Sequence, residues 1–260
     1  MPPSLEGCTL KLKKADEHLL DLHKMVKEFH KAHPYSIPPD LNAETGECIF
    51  RVQNVLPAPL DWSIVIGEFA YNMRSALDHL VWQLVELDGG RPGRYTQFPI
   101  FKSRDDYLRD GHGPGMLKGL KPPNRKQIED LQPYNTGDDA IRDPLWLLDE
   151  LSNIDKHRVL HIVFAGAVDV TMDLSGIEAL DVKEVRVFTP KTLENGVPVA
   201  SMRLVPTGTK GKLQVKPEIT HEEHFGDRSG DLRGLRMGET LQDIRNHVNT
   251  EVFPKFIPLF

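Results

Sequence analysis

Apolar positions recur at steps of three and four residues in three long segments of the chain, and this spacing predicts amphipathic helices. The predicted helices cover about 10–31, 61–88 and 143–157. Asp61 is the expected N-cap of the second helix, and Gly89-Gly90 mark its end. Asp143 followed by Pro144 predicts an N-cap and a first-turn proline for the third helix. These capping and terminating residues mark the predicted ends of the second and third helices.

The pattern changes after the third helix to alternating β-branched and polar residues, which is typical of strands. Four such runs are predicted as strands at 159–168, 182–188, 197–205 and 213–219. Asn195-Gly196 predicts a hairpin turn between two of them. Thr240 and Asp243 resemble a capping box for a last helix. Asn124 with Gln127 resembles a capping box for a short helix that ends near Leu131.

These elements together predict an α+β fold, in which a helical bundle is combined with an antiparallel β-sheet segment and a C-terminal helix returns to the bundle. No shift in composition separates independent regions, so residues 1–260 are predicted to form a single domain. Within it we expect a helical region at 1–158 with an irregular basic loop at 89–123, a β-rich region at 159–219 and a C-terminal helix at 239–253.

Composition and charge narrow the classes of function. The chain has 38 acidic and 32 basic side chains, and its net charge of −6 excludes a generally basic protein that coats DNA. The longest nearly apolar run has His161 within it, so no membrane association is expected. The N-terminus lacks the pattern of a secretion signal, which predicts a cytoplasmic protein. The two cysteines form neither a disulfide framework nor a metal quartet.

The segment 91–126 departs from this acidic average, because it has nine basic and three acidic side chains. Tyr95, Phe98, Phe101 and Tyr107 are interleaved with the cations. Basic groups next to aromatic rings suit single-stranded RNA, whose phosphates they neutralise and whose bases they stack on. In the alternative interpretation, the phenylalanines anchor the segment to the core and the cations remain in water.

A stripe of polar residues follows one face of the second helix, and a shorter stripe follows the third. The first consists of Glu68, Asn72, Ser75, His79, Gln83 and Glu86, and the second of Glu150, Asn153 and His157. Both stripes could simply face water. Alternatively, they face each other or a symmetry mate across a site that contains His79 and His157, whose imidazoles can move protons near neutral pH.

Arg74 and His79 are separated by four residues on the second helix. This spacing resembles the Arg-x4–6-His motif of the HEPN superfamily, whose members are helical-bundle proteins. The chain is also similar to uncharacterised bacterial proteins with RSALDHL and NIDKHR segments. The resemblance implies a metal-independent endoribonuclease or RNA-binding protein that acts as a homodimer, without a cofactor and without metal ligands.

The ribonuclease hypothesis assigns roles to individual residues. The motif places Arg74 and His79 at the centre of the catalytic site, and the polar stripes add Asn72 and His157 as supporting catalytic residues. The charge of the basic residues suggests contacts to single-stranded RNA from Lys156, Arg158, Arg91, Arg94, Lys102 and Arg104. Five residues along a helix correspond to about 500° of rotation, so Arg74 and His79 diverge by about 140°. A shared site therefore requires two protomers.

Two further hypotheses stay open beside the ribonuclease. One is a helical-bundle metalloenzyme that uses His79 and His157, and the other is a non-catalytic interaction module. The segment from His221 to His224 has two histidines but lacks the HExxH spacing, and no further ligand lies at a recognisable distance in the sequence. No metal site is predicted there.

Overall fold

The computed structural model describes residues 2–32, 34–164, 169–177, 180–206 and 213–260. The fold is α+β, as predicted. Its internal contacts group the chain into two compact units. The first unit comprises 1–24, 60–161 and 225–260, and the second comprises 25–59 and 162–224. The single-domain organisation stays a prediction, and each unit is described separately below.

The first unit is helical, and its centre is a helix that is buried along most of its length. Its longer helices are α1 (Glu6–Lys31), which continues into the second unit, α2 (Leu60–Leu87), α5 (Pro122–Asp130), α6 (Pro144–His157) and α7 (Met237–His247). On α2 the large side chains of Trp62, Phe69, Met73 and Leu84 are at most 1% exposed. This burial accounts for the continuous apolar stripe in the sequence.

The predicted start of α6 is confirmed. The carboxylate of Asp143 accepts a hydrogen bond from the backbone N–H of Leu145 at 2.9 Å. Pro144 occupies the first turn, where its missing N–H leaves no bond unmade. The helix ends at His157, as the sequence indicated.

The region 89–123 is less irregular than predicted, because it includes the short helices α3 (Arg104–Leu108) and α4 (His112–Met116). The next helix, α5, begins at Pro122 rather than at Asn124. The predicted capping box is therefore wrong: the Asn124 amide instead donates to the Asp88 carboxylate at 2.9 and 3.0 Å. Prolines 122 and 123 fit a first turn, since that turn needs no backbone donors.

The second unit contains an antiparallel sheet of four strands in the order β1-β2-β6-β5. Its strands are β1 (Pro39–Leu41), β2 (Glu47–Arg51), β5 (Leu180–Val187) and β6 (Pro198–Pro206). Two smaller pairs are β3 (Ile162–Phe164) with β8 (Glu223–Phe225) and β4 (Asp169–Ile177) with β7 (Leu213–Thr220). Cys48 and Phe50 alternate into the core from β2, opposite Ala200 and Met202 of β6.

The predicted hairpin turn at Asn195-Gly196 lies between β5 and β6, which pair antiparallel, although the whole connection between the two strands is the longer segment 188–197. A tight turn does form there, with Gly196 at φ +87°. The Asn195 side chain accepts a hydrogen bond from the backbone N–H of Val55 at 2.9 Å. The turn therefore lies between two paired strands and also holds another loop in place. Residues 165–168, the end of the first predicted strand, lie outside the described residues.

The C-terminal helix returns to the helical group, as predicted. Arg245 of α7 makes two hydrogen bonds to the Asp16 carboxylate of α1, at 2.7 and 3.2 Å. The predicted capping box is wrong, because the helix begins at Met237 and the Thr240 hydroxyl donates to the Arg236 carbonyl inside it. After α7 the chain continues through a π-helical turn at Val248–Val252 into α8 (Phe253–Phe256). No helix among the described residues is long and apolar enough to cross a bilayer.

Candidate functional site

Arg74 lies in a network of protein groups between α2 and α6. Its guanidinium donates to the Phe98 carbonyl at 2.7 Å, and its Nε atom is 3.5 Å from an Asp149 oxygen. Nη1 is 3.2 Å from the Asp78 carboxylate but lacks hydrogen-bond alignment. Burial raises the pKa of Asp78, against the opposing effects of Arg74 and of the Phe98 N–H, which donates to it. These contacts give the arginine a structural role within one chain.

His79 lies on a different side of α2, as the rotation along the helix requires. It is exposed and lines a pocket of about 680 Å³ together with residues at the start of α1. Arg74 lines a separate pocket of about 300 Å³ together with Lys156. Within one chain the two motif residues therefore do not share a cavity. The ribonuclease hypothesis continues to require a second protomer and stays a prediction, as do the RNA ligand, the homodimer and the cytoplasmic location.

The two supporting residues of that hypothesis are not adjacent to His79 in any described contact. Asn72 is buried, and its amide donates to the Glu68 carbonyl one turn earlier at 2.8 Å. His157 is exposed at the end of α6 and lines neither of the two pockets. Arg158 follows it as the exposed C-cap residue. The structure thus leaves these side chains in separate environments.

The basic segment 91–126 is anchored by its aromatic residues. Phe98 is fully buried and Tyr107 is 3% exposed, whereas Tyr95 remains 66% exposed. Several of its cations have partners: Lys102 pairs with Asp231 at 3.1 Å, and the Arg94 guanidinium lies 4.5 Å from the ring of Tyr95.

Two further cations of this segment have different surroundings. Arg104 lies 6.0 Å from the ring of Tyr134. Arg91 is exposed. The anchoring interpretation therefore applies to Phe98 and Tyr107, which are not accessible to nucleic-acid bases.

A different set of residues converges in the second unit. His30, His221 and Glu223 each place one potential ligand atom within 4.8 Å of the others. His30 is in the last turn of α1, His221 directly follows β7, and Glu223 begins β8. Nε2 of His30 is 2.5 Å from an oxygen of Glu223, although the residues are 193 positions apart. Two imidazoles and one carboxylate form a ligand set that suits zinc and related divalent transition metals.

Aromatic rings surround these imidazoles. The His30 and His221 rings are 4.5 Å apart between centroids, and Tyr35 and Phe164 each lie 5.3 Å from His221 in edge-on contact. Phe29 stacks on Phe164 at 5.6 Å. Rings packed in this way fix the orientation of the imidazoles and limit access of water. Such a shell strengthens electrostatic interactions at a metal site.

The charge state of Glu223 also suits a ligand. Burial acts to raise its pKa, but the hydrogen bond with His30, a backbone N–H and the neighbouring imidazoles together lower it below the ordinary value. The carboxylate is therefore ionised at neutral pH, as metal binding requires. Nδ1 of His30 is buried and has no hydrogen-bond partner among the described residues. Because the ionised Glu223 carboxylate can only accept, the hydrogen bond between them holds a proton on Nε2 of His30.

Sequence reasoning missed this cluster, although it considered the segment from His221 to His224. The pair that converges is His221 with Glu223, since alternate residues of an extended chain point to the same side. His224 instead pairs with Glu222 at 3.5 Å. The third member, His30, is distant in sequence, and no spacing rule relates it to the others. Neither His79 nor His157 belongs to a ligand cluster among the described residues.

Comparisons with protein-family models, with curated proteins and with solved structures gave no match to this chain.

Proposed function

We propose that the protein binds a divalent transition metal of the zinc class through His30, His221 and Glu223, and uses it to activate a water molecule. The observation that supports the proposal is the convergence of the three ligand atoms within 4.8 Å. Three protein ligands of this type are the set that catalytic zinc sites use, with water in the fourth position.

Small movements of the three side chains would bring their ligand atoms to the spacing that a bound ion requires. Metal–nitrogen and metal–oxygen bonds of about 2.0–2.1 Å place tetrahedral ligand atoms roughly 3.3 Å apart. His30 Nε2 and the Glu223 oxygen are closer, at 2.5 Å, because a proton occupies the position between them. An ion would replace that proton, and the two side chains would separate slightly. Metal binding would therefore release protons and weaken at low pH.

The test is titration of the chelator-treated protein with Co²⁺ and Zn²⁺. We expect one equivalent of Co²⁺ to produce the intense visible bands of a four-coordinate site, and Zn²⁺ to displace it. His30→Ala and Glu223→Gln each remove a ligand. They should weaken metal binding by at least about tenfold to a hundredfold, because that loss already follows when only a hydrogen-bond partner of a ligand is removed.

His224→Ala is the matched control, because it removes a histidine from the same segment whose imidazole pairs with Glu222. It should retain metal affinity. If His224→Ala and His30→Ala lose metal affinity equally, or if neither ligand variant loses affinity, the cluster does not bind the metal and is only an ion pair. The zinc-loaded protein should also hydrolyse an activated ester faster than the metal-free protein, and the ligand variants should not.

A further inference from the structure

The pocket that His79 lines, in the first unit, has apolar, aromatic and acidic residues in its wall. It encloses about 680 Å³ between the start of α1 and the middle of α2. Its wall includes Cys8, Leu10, His79, Trp82, Gln83 and Glu86. The proposed metal ligands lie in the other unit and include none of these residues, so the two sites can be tested independently.

The charge around this pocket is negative. Glu6, Asp78 and Glu86 line it, and none of the described residues that line it is Lys or Arg. Asp78 already lies beside Arg74 and accepts the Phe98 N–H, so Glu6 and Glu86 supply the available charge. The amino end of α1 adds the equivalent of only about half a positive charge. Two carboxylates exceed that contribution, and they disfavour a phosphodiester next to His79.

The pocket also presents apolar surface that a folded protein normally covers. Trp82 is 40% exposed and Leu10 is 60% exposed. An indole face attracts a cation within about 6 Å of the ring, most strongly where water is partly excluded. Cys8 is buried behind the pocket wall, and burial raises the pKa of its thiol to about 11, so the thiol is uncharged at neutral pH. An exposed indole and the exposed carboxylates of Glu6 and Glu86 therefore share one concave site.

We propose that this pocket binds a small organic cation with apolar surface, of the quaternary ammonium or alkylammonium class. The carboxylates of Glu6 and Glu86 supply the attraction for the charge, and the face of Trp82 contacts the alkyl groups. The amide of Gln83 is already fixed, since it accepts the Ser4 N–H at 2.8 Å and donates to Glu86 at 3.2 Å. This bond also positions the Glu86 carboxylate.

Isothermal titration of the full chain with three probes tests the proposal. The probes are choline, its uncharged isostere 3,3-dimethylbutan-1-ol, and inorganic phosphate. Choline should bind at least about tenfold more tightly than the alcohol, which shares its shape but lacks the charge. Phosphate should not bind. The proposal is overturned if the alcohol binds as tightly as choline, if phosphate binds more tightly, or if choline gives no signal up to about 10 mM.

Two variants locate the binding. Trp82→Leu and Glu86→Gln should each weaken choline binding by about threefold to thirtyfold. Both side chains are exposed, and circular dichroism verifies that each variant is folded. Asp138→Asn removes an exposed carboxylate elsewhere in the first unit and should leave choline binding unchanged. If both pocket variants bind choline like the unmodified chain, the assignment of this pocket is wrong.

Discussion

At the scale of single residues, Gly46 shows how one backbone position depends on the whole sheet. It precedes β2 with φ at +73°, and its carbonyl accepts the Leu204 N–H at 2.8 Å. A Cβ atom at this position would lie 2.3 Å from the Leu204 carbonyl oxygen, which belongs to the backbone of β6 and cannot rotate away. Both the left-handed conformation and the close approach of β6 therefore require glycine.

We expect Gly46→Ala to lower the free energy of unfolding. The left-handed backbone costs about 1–2 kcal/mol for a residue with a Cβ, and crowding against β6 adds about 1–3 kcal/mol. Thermal unfolding followed by circular dichroism measures the change. Gly115→Ala is the control, since nothing lies within 4 Å of its Cβ position. Equal melting temperatures for the two variants would contradict the structural argument.

At the scale of elements, Arg74 joins α2 to α6 and to the segment that follows α2. Replacing it by methionine keeps the apolar stem, but removes the hydrogen bond to the Phe98 carbonyl and the cation beside Asp78 and Asp149. We expect Arg74→Met to lower the free energy of unfolding by about 1–3 kcal/mol, the range for hydrogen bonds to charged groups. Because the carboxylates are partly exposed, water reduces the loss toward the lower end of that range.

A double-mutant cycle with Asp149→Asn measures the link between α2 and α6 directly. Urea unfolding followed by tryptophan fluorescence is the suitable measurement, since all three tryptophans lie in the first unit. Arg91→Met, at an exposed arginine, should have almost no effect. If Arg74→Met is as stable as Arg91→Met, then the guanidinium of Arg74 is free for a ligand, as the ribonuclease hypothesis requires.

At the scale of the whole molecule, the half-buried His247 makes stability depend on pH. Burial lowers its pKa below the ordinary 6.5, although Asp143 and Glu251 oppose the shift. The His247 side chain therefore binds a proton more readily in the unfolded chain than in the folded one. Its contribution to stability is complete above pH 6.5 and falls as the pH drops from that value toward the folded pKa.

We expect His247→Gln to flatten the dependence of the urea midpoint on pH between about 5 and 8. His23→Gln, which replaces an exposed histidine of the first unit, should leave the dependence unchanged. A midpoint that rises on acidification in the unmodified chain would contradict the sign of the shift.

The amount of fold that the sequence predicted differs between elements for physical reasons. The spacing of apolar residues and the Asp143 cap are local properties of the sequence. The helices α1, α2 and α6 and the strand-forming character of the β-rich region were therefore predictable. The predicted cap at Asn124 failed because a tertiary partner, Asp88, binds its side chain. The cap at Thr240 failed because its hydroxyl bonds to the Arg236 carbonyl one turn earlier. Local chemistry determines an end of a helix only where no stronger partner is near.

The candidate site was less predictable than the fold. The sequence by itself determined the α+β class, the acidic charge, and the rotation that separates Arg74 from His79. Only the tertiary structure decided that the guanidinium of Arg74 lies beside carboxylates of the same chain, and that His30 lies next to His221 and Glu223. The physical reason is that ligand geometry depends on distances in space. Residues 193 positions apart have no periodic relation that a sequence could reveal.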